Sequence, residues 1–144
     1  MEDQKKYGMC KREVAELLRS HDINPTTQRI EIAHLIFQKA QHLCADEILA
    51  ELNKEYEQVS QATVYNTLKV FVDKKVVREL VFAPDRIYYD SNTSHHHHFI
   101  DVDTGKIYDV SGDCVKCPEL SYVDHLKAEV LEVSLILKGR MPQA

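Results

Sequence analysis

The sequence predicts an α+β chain, helical first and strand-rich afterwards. Apolar residues recur at the helical period through roughly the first 80 residues, the period then drops to two, and four consecutive histidines, His95 to His98, fall inside the second region. The 144 residues, 44% apolar and 28% charged, suit one ordinary domain or two small ones.

Cys10, Val14, Leu17 and Leu18 form the first helical stripe, which Pro25 interrupts. Thr26 or Thr27 suits the cap of a second helix running to about Lys39, with Ile32, Leu35 and Ile36 inside. A third helix begins at Asp46 and turns Ile48, Leu49, Leu52 and Tyr56 inward. Ser60 caps a fourth, whose stripe is Val64, Leu68, Phe71 and Val72. The opposite face of this helix carries Thr63, Asn66 and Lys69, groups that a packed core does not call for. "VVRELVFAPDRIYYD" then reads as two strands around a turn at 83–85. A second hairpin joins "HHHHFIDV" to "IYDV" through a turn at 103–106, and "LEVSLILKG" supplies a last strand. The stretch from Gly112 to about Leu126 is open between loop and short helix.

Three or four helices followed by a β-hairpin is the order of a winged helix-turn-helix. There the helix before the hairpin enters the major groove, where side chains reach base edges. On this reading Thr63, Tyr65, Asn66 and Lys69 face DNA and the 78–89 hairpin is the wing. A helical domain with a polar outer face is the competing reading.

The histidine run has its own logic. Alternate residues of a strand share a face, so His96 and His98 point one way and His95 and His97 the other. If the hairpin turns at Thr104-Gly105, Val102 pairs with Ile107 and Ile100 with Asp109. Asp109 then lies diagonal to His98 on the His96/His98 face. His-x-His with carboxylates, Asp90 among them, is a nitrogen and oxygen donor set without thiolate, suited to iron(II), manganese(II) or zinc. A solvated histidine edge is one alternative. An oxygen-activating non-haem metalloenzyme of the cupin type is another, but four glycines and a helical first half do not suit a jelly roll.

The bulk properties exclude less. No apolar stretch approaches the roughly 20 residues of a membrane span. The opening "MEDQKKYGMCKREV" has no apolar core after its charges, so no signal peptide is expected, and the expected location is the cytoplasm. Cys10, Cys44, Cys114 and Cys117 are too few and scattered for a disulfide framework. Up to residue 94 the chain has 13 basic and 15 acidic residues, and after it 5 and 8. Neither part is a general polyanion binder, although a sequence-specific reader needs only a few well-placed cations.

"TTQRIEIAHLIF", "SQATVYNTLKVF", "RIYYDSNTSHHHHF" and "TGKIYDV" together resemble the ferric uptake regulator (Fur) family, from about residue 12 to 110. The resemblance implies a winged-helix DNA-binding domain at 1–90 and a small α/β dimerisation and metal-sensing domain at 91–144. It implies a homodimeric, metal-dependent repressor, not an enzyme, acting on a palindromic operator in double-stranded DNA. Carried over by position, the regulatory metal site is His42, Asp90, His96, His98 and Asp109, and Arg29 joins the recognition helix in contacting DNA. Iron-uptake members commonly have glutamate at the last metal position and the peroxide-sensing branch (PerR) aspartate, so Asp109 resembles the peroxide sensor. That implies iron(II) or manganese(II) at the site and a response in which metal-catalysed oxidation of a histidine ligand, His42 or His96, releases DNA.

This chain also departs from the family pattern. Asp101 and Thr104 stand where many relatives carry the first Cys-x-x-Cys pair of a structural zinc site, and "KGRMPQA" has no cysteine. Cys114 and Cys117 supply two of the four ligands a closed zinc site needs, so no structural zinc is expected. The same lack occurs in the haem-responsive iron regulators (Irr), and Cys117-Pro118 resembles a dipeptide of regulatory haem sites. An iron- or haem-responsive regulator is therefore the alternative. The second metal site of some relatives would use His95 and His97, but its third position falls on Lys116, and no such site is expected.

Overall fold

The computed structural model describes residues 6–55, 59–114 and 120–143, with backbone alone at 114 and 120–122. The chain divides into two compact units, Met1–Thr93 and Ser94–Ala144. Among the described residues, four α-helices and two three-stranded sheets give an α+β fold.

In the first unit, α1 spans Lys11–Ser20 and buries Val14, Ala15 and Leu18. Cys10, expected on that stripe, is instead exposed at the helix entry, where its amide donates to the Glu13 carboxylate at 2.8 Å. Helix α2, Thr27–Ile36, starts at the expected Thr26 cap but stops before Lys39. The Gln41 side-chain amide donates to the Leu35 and Ile36 carbonyls at 2.9 and 3.3 Å, satisfying the helix end where it stops.

Strand β1, His42–Cys44, has no counterpart among the sequence expectations, because three residues carry no readable period. It leads directly into α3, Ala45–Asn53, where the Cys44 amide donates to Glu47 at 2.9 Å; Tyr56 lies outside the described residues. Helix α4, Gln61–Asp73, is capped by Ser60, whose hydroxyl accepts from the Thr63 amide at 3.1 Å. It closes on Lys75 in the left-handed region (φ 61°), with the Val76 amide donating back to the Phe71 carbonyl at 2.8 Å.

Strands β2 (Arg78–Ala83) and β3 (Arg86–Asp90) follow as a hairpin with an irregularity between Val81 and Ala83, and the sheet order is β1-β3-β2. Beneath lies one core, with Leu18, Ile32, Ile36, Phe37, Ile48, Leu68 and Phe71 fully buried. Each such side chain contributes about 2 kcal/mol of burial.

The second unit holds β4 (His96–Asp101), β5 (Ile107–Ser111) and β6 (Ile136–Gly139) in the order β5-β4-β6, with β6 parallel to β4. The β4–β5 register differs from the expected one by two residues: Ile100 pairs with Ile107, and His98 directly with Asp109. The reason is Asp101. It ends β4 and holds a wider loop, its carboxylate accepting from the Asp103 amide at 3.1 Å and the Thr104 hydroxyl at 2.8 Å. Gly105 completes that loop at φ 74°.

The last strand is shorter than "LEVSLILKG", because ladder pairing with β4 begins only at His98↔Ile136. An added Cβ at Gly139 would meet the Phe99 ring at 3.0 Å, so glycine lets β6 lie close. The ambiguous stretch contains 3-10 turns at Gly112–Cys114 and Leu120–Leu126. Among the described residues no helix is long and apolar enough to cross a membrane.

Candidate metal centre

Each unit carries one set of nitrogen and oxygen donors. In the first, antiparallel pairing of β1 with β3 sets His42 opposite Asp90. The His42 Nε2 atom lies 3.3 Å from Asp90 Oδ2, and both side chains are more than nine-tenths buried. The other carboxylate oxygen, Oδ1, accepts the Asn92 amide at 2.8 Å. One oxygen is thus held by the backbone while the other is aimed at the imidazole. A buried carboxylate is costly unless a cation or hydrogen bonds compensate it, and this pair offers a cation both.

In the second unit, His96 and His98 share one face of β4 with ring centroids 4.6 Å apart. Asp109 Oδ1 on β5 lies 3.2 Å from His96 Nε2 and 3.5 Å from His98 Nε2. The His96 Nδ1 atom is 2.7 Å from the Ser94 carbonyl oxygen, which only accepts, so the ring proton sits on Nδ1. In the neutral ring Nε2 then presents a lone pair to a carboxylate oxygen, which is repulsive unless a proton or a metal cation lies between them. Fixing of one imidazole nitrogen by a carbonyl is also how metal-bound histidines are oriented. The donor chemistry therefore fits a divalent cation.

The other face of β4 has a different task. His97 is fully buried, its Nδ1 accepting the Leu135 amide at 3.1 Å, and His95 Nε2 donates to the Val133 carbonyl at 2.9 Å. Both rings grip the segment leading into β6. Lys116, the third position of the second metal site that was not expected, lies outside the described residues.

Of the five residues expected at DNA, Arg29, Thr63, Tyr65 and Asn66 line two clefts of the first unit, and Lys69 lines neither. Arg29, Thr63 and Asn66 line one with Asn24, Thr26, Gln28, Thr67 and Val70. The Arg29 guanidinium donates to the Asn24 carbonyl at 3.0 Å, and the Thr63 hydroxyl sits 2.9 Å from that of Ser60. Tyr65, 45% exposed, lines the second cleft with Pro84, Arg86 and Ile87 of the hairpin. Lys69 is exposed on α4. Helices α1 and α3 carry acidic residues in their first turns, whereas α2 and α4 carry none. The N-termini of those two helices, capped by Thr26 and Ser60, therefore carry no carboxylate in the first turn that would repel an anion.

Sequence reasoning missed Arg86, a hairpin cation beside Tyr65, and the orienting partners Asn92 and Ser94. The signal for the first was the cation inside "APDR"; for the others it was the short polar link "SNTS". Asp101 and Thr104 are bonded to one another, and this bond, then the Asp103 amide, lowers the Asp101 carboxyl below its ordinary value. Cys10 and Cys44 are free thiols; the Cys114 side chain and all of Cys117 lie outside the described residues.

Residues 20–138 match the Ferric uptake regulator family. The Peroxide-responsive repressor PerR of Staphylococcus aureus (strain Mu50 / ATCC 700699) is 35% identical over 109 residues, 76% of this chain and 70% of that protein. The Vibrio cholerae ferric uptake regulator superposes with a TM-score of 0.71 at 25% identity, covering 88% of this chain and 98% of that one. The structure of GAS PerR-Zn-Zn superposes with a TM-score of 0.50 at 31% identity, covering 92% and 85%.

Proposed function

The chain belongs to the Ferric uptake regulator family, and from that premise we propose a metal-dependent repressor that senses peroxide through oxidation of its own histidine ligands. Its relatives in that family are transcriptional regulators rather than enzymes. The observation that carries the metal reading is Asp109 Oδ1 facing the Nε2 atoms of both His96 and His98 while Ser94 fixes the His96 tautomer.

On this reading His96, His98 and Asp109 hold the metal together with His42 and Asp90, in the family's ligand order. One ion held by this donor set makes DNA binding depend on metal. It is an allosteric ligand that prefers the DNA-competent arrangement. The chain's domains are then 1–90 for DNA and 91–144 for sensing and dimerisation. Two copies set two α4 helices over a palindromic operator, whose half-site spacing mirrors the dimer. Exposed apolar residues of the second unit, among them Val102, Leu131, Ile136 and Leu137, are available to such a dimer.

DNA contact is assigned to Arg29, Thr63, Tyr65, Asn66 and Lys69. The acid-free first turns of α2 and α4 favour phosphate beside them. Iron(II), when bound, supplies the reduction of peroxide that generates an oxidant at the site, and manganese(II) gives a form that binds DNA without that chemistry. The chain contributes the oxidisable imidazoles of His42 and His96, and short carboxylates at Asp90 and Asp109. Of the relatives compared, the Staphylococcus aureus repressor is peroxide-responsive, which favours this reading over an iron or haem sensor.

The test is operator binding by the purified protein with manganese(II) and then with excess chelator. Binding to a promoter palindrome over random duplex, lost on chelation and restored by metal, is expected. Equal binding with and without metal would remove the proposal.

A further inference from the structure

Asp90 does not hold its orientation alone. Its Oδ1 is taken by the Asn92 amide at 2.8 Å, which leaves Oδ2 facing His42 Nε2 at 3.3 Å. That turn runs through Ser91, which is completely buried. A buried hydroxyl needs a partner, and the Ser91 hydroxyl donates to the Tyr7 hydroxyl at 3.3 Å. Tyr7 comes from the other end of the unit, ahead of α1. It is held by its neighbour Gly8, which adopts φ 70° and donates its amide to the Phe37 carbonyl just past α2 at 2.9 Å.

We propose that Tyr7 is a positioning residue for the metal ligand Asp90: the N-terminal segment, pinned at Gly8, holds Ser91 and thereby the turn that aims Oδ2 at His42. This rests on the metal reading above. Phe37 follows α2, and β1 begins at His42. The Gly8 anchor therefore sits at the start of the loop that delivers His42, and the Tyr7 anchor on the turn that orients Asp90. A single short segment ties both ligands of this unit to the same reference. Partners of this outer kind commonly change metal affinity by about 10- to 100-fold when removed. At 3.3 Å the Ser91–Tyr7 bond is long for two hydroxyls, which places the expected effect at the lower end.

The experiment compares wild type with Tyr7→Phe and Ser91→Ala, with Asp90→Ala as reference. Manganese(II) affinity is measured by competition with a chelating dye, and amide exchange at Asn92 in the metal-free protein. Both positioning variants should bind manganese(II) roughly tenfold more weakly. The metal-free Tyr7→Phe protein, which leaves the buried Ser91 hydroxyl without this partner, should melt lower than Ser91→Ala, which removes the hydroxyl itself. The Asn92 amide should exchange faster in both, a change that mere loss of metal cannot produce. Tyr7→Phe/Ser91→Ala should be no weaker than either single variant. Wild-type affinity and wild-type Asn92 exchange in both, while Asp90→Ala binds poorly, would overturn the positioning role and leave the metal reading standing. Wild-type affinity in Asp90→Ala would overturn both. If Tyr7→Phe melts too low to be measured, Ser91→Ala decides on the same two readouts.

Discussion

Nε2 of His96 faces Oδ1 of Asp109 at 3.2 Å, while the same ring is committed through Nδ1 to the Ser94 carbonyl. This pairing asks for a cation between the two atoms. Asp109→Ala and His96→Ala should each lower manganese(II) affinity by at least about 100-fold, since each removes a direct ligand of the assigned site. Asp109→Glu should retain binding but slow the peroxide response. Calorimetric titration checks the affinities, and undiminished binding in both alanine variants would displace the metal from this face of β4.

Tyr65 and Arg29 line separate clefts on the first unit, so their contributions to DNA binding should be separable. Tyr65→Ala is expected to cost about 1–3 kcal/mol on a cognate operator and much less on random duplex, as befits a base contact. Arg29→Ala should weaken both, with the slope of log affinity against log salt reduced by about 0.9, if its charge meets one phosphate. Fluorescence anisotropy across a salt series measures both quantities. Arg86→Ala is the control for the hairpin cation that sequence reading passed over.

Asp101 and Thr104, at the positions where the family resemblance implies a thiolate pair in many relatives, are joined by a carboxylate–hydroxyl hydrogen bond of 2.8 Å. The second unit should therefore stay folded in strong chelator, judged by circular dichroism, while DNA binding is lost. Because the folded Asp101 carboxyl lies below its ordinary value, its contribution is present above the unfolded value of roughly 3.9 and fades as the pH falls through the folded one. Asp101→Ala should accordingly melt lower than wild type at pH 7, with the difference closing in acid. Stoichiometric thiolate-bound zinc in the purified protein would instead assign a structural role to Cys114 and Cys117.

Lys75 ends α4 at φ 61°, a conformation that costs an ordinary side chain on the order of 1 kcal/mol relative to glycine. It is exposed, so little else is lost by truncation. Lys75→Gly should stabilise the first unit by about 0.5–1 kcal/mol in urea denaturation, without changing metal affinity.

Much of the architecture was legible because periodicity reports burial. Val14, Leu18, Ile32, Ile36, Ile48, Leu52, Val64, Leu68 and Phe71 all reach the core from stripes readable in the sequence. The two faces of the histidine run followed from strand geometry alone. What could not be read was local and non-periodic. Strand β1 is three residues long, yet its pairing with β3 is what sets His42 opposite Asp90. The β4–β5 register turned on one side chain: Asp101 caps the loop in a way the Asp-Thr-Gly turn signal does not reveal, moving Asp109 from diagonal to directly opposite His98. Helix α2 stopped early because Gln41, beyond the helix, satisfies its last carbonyls. Tyr7 is 84 residues from Ser91, and no spacing rule links them.

The most direct test of the account is operator binding by the iron(II) and manganese(II) forms before and after mild hydrogen peroxide, with peptide mass spectrometry on the same samples. The iron form alone should release DNA, its release tracking one added oxygen on the peptide containing His42 or on the one containing His96 and His98. Equal oxidation of both metal forms, or release traced to cysteine with the histidine peptides unmodified, would contradict it.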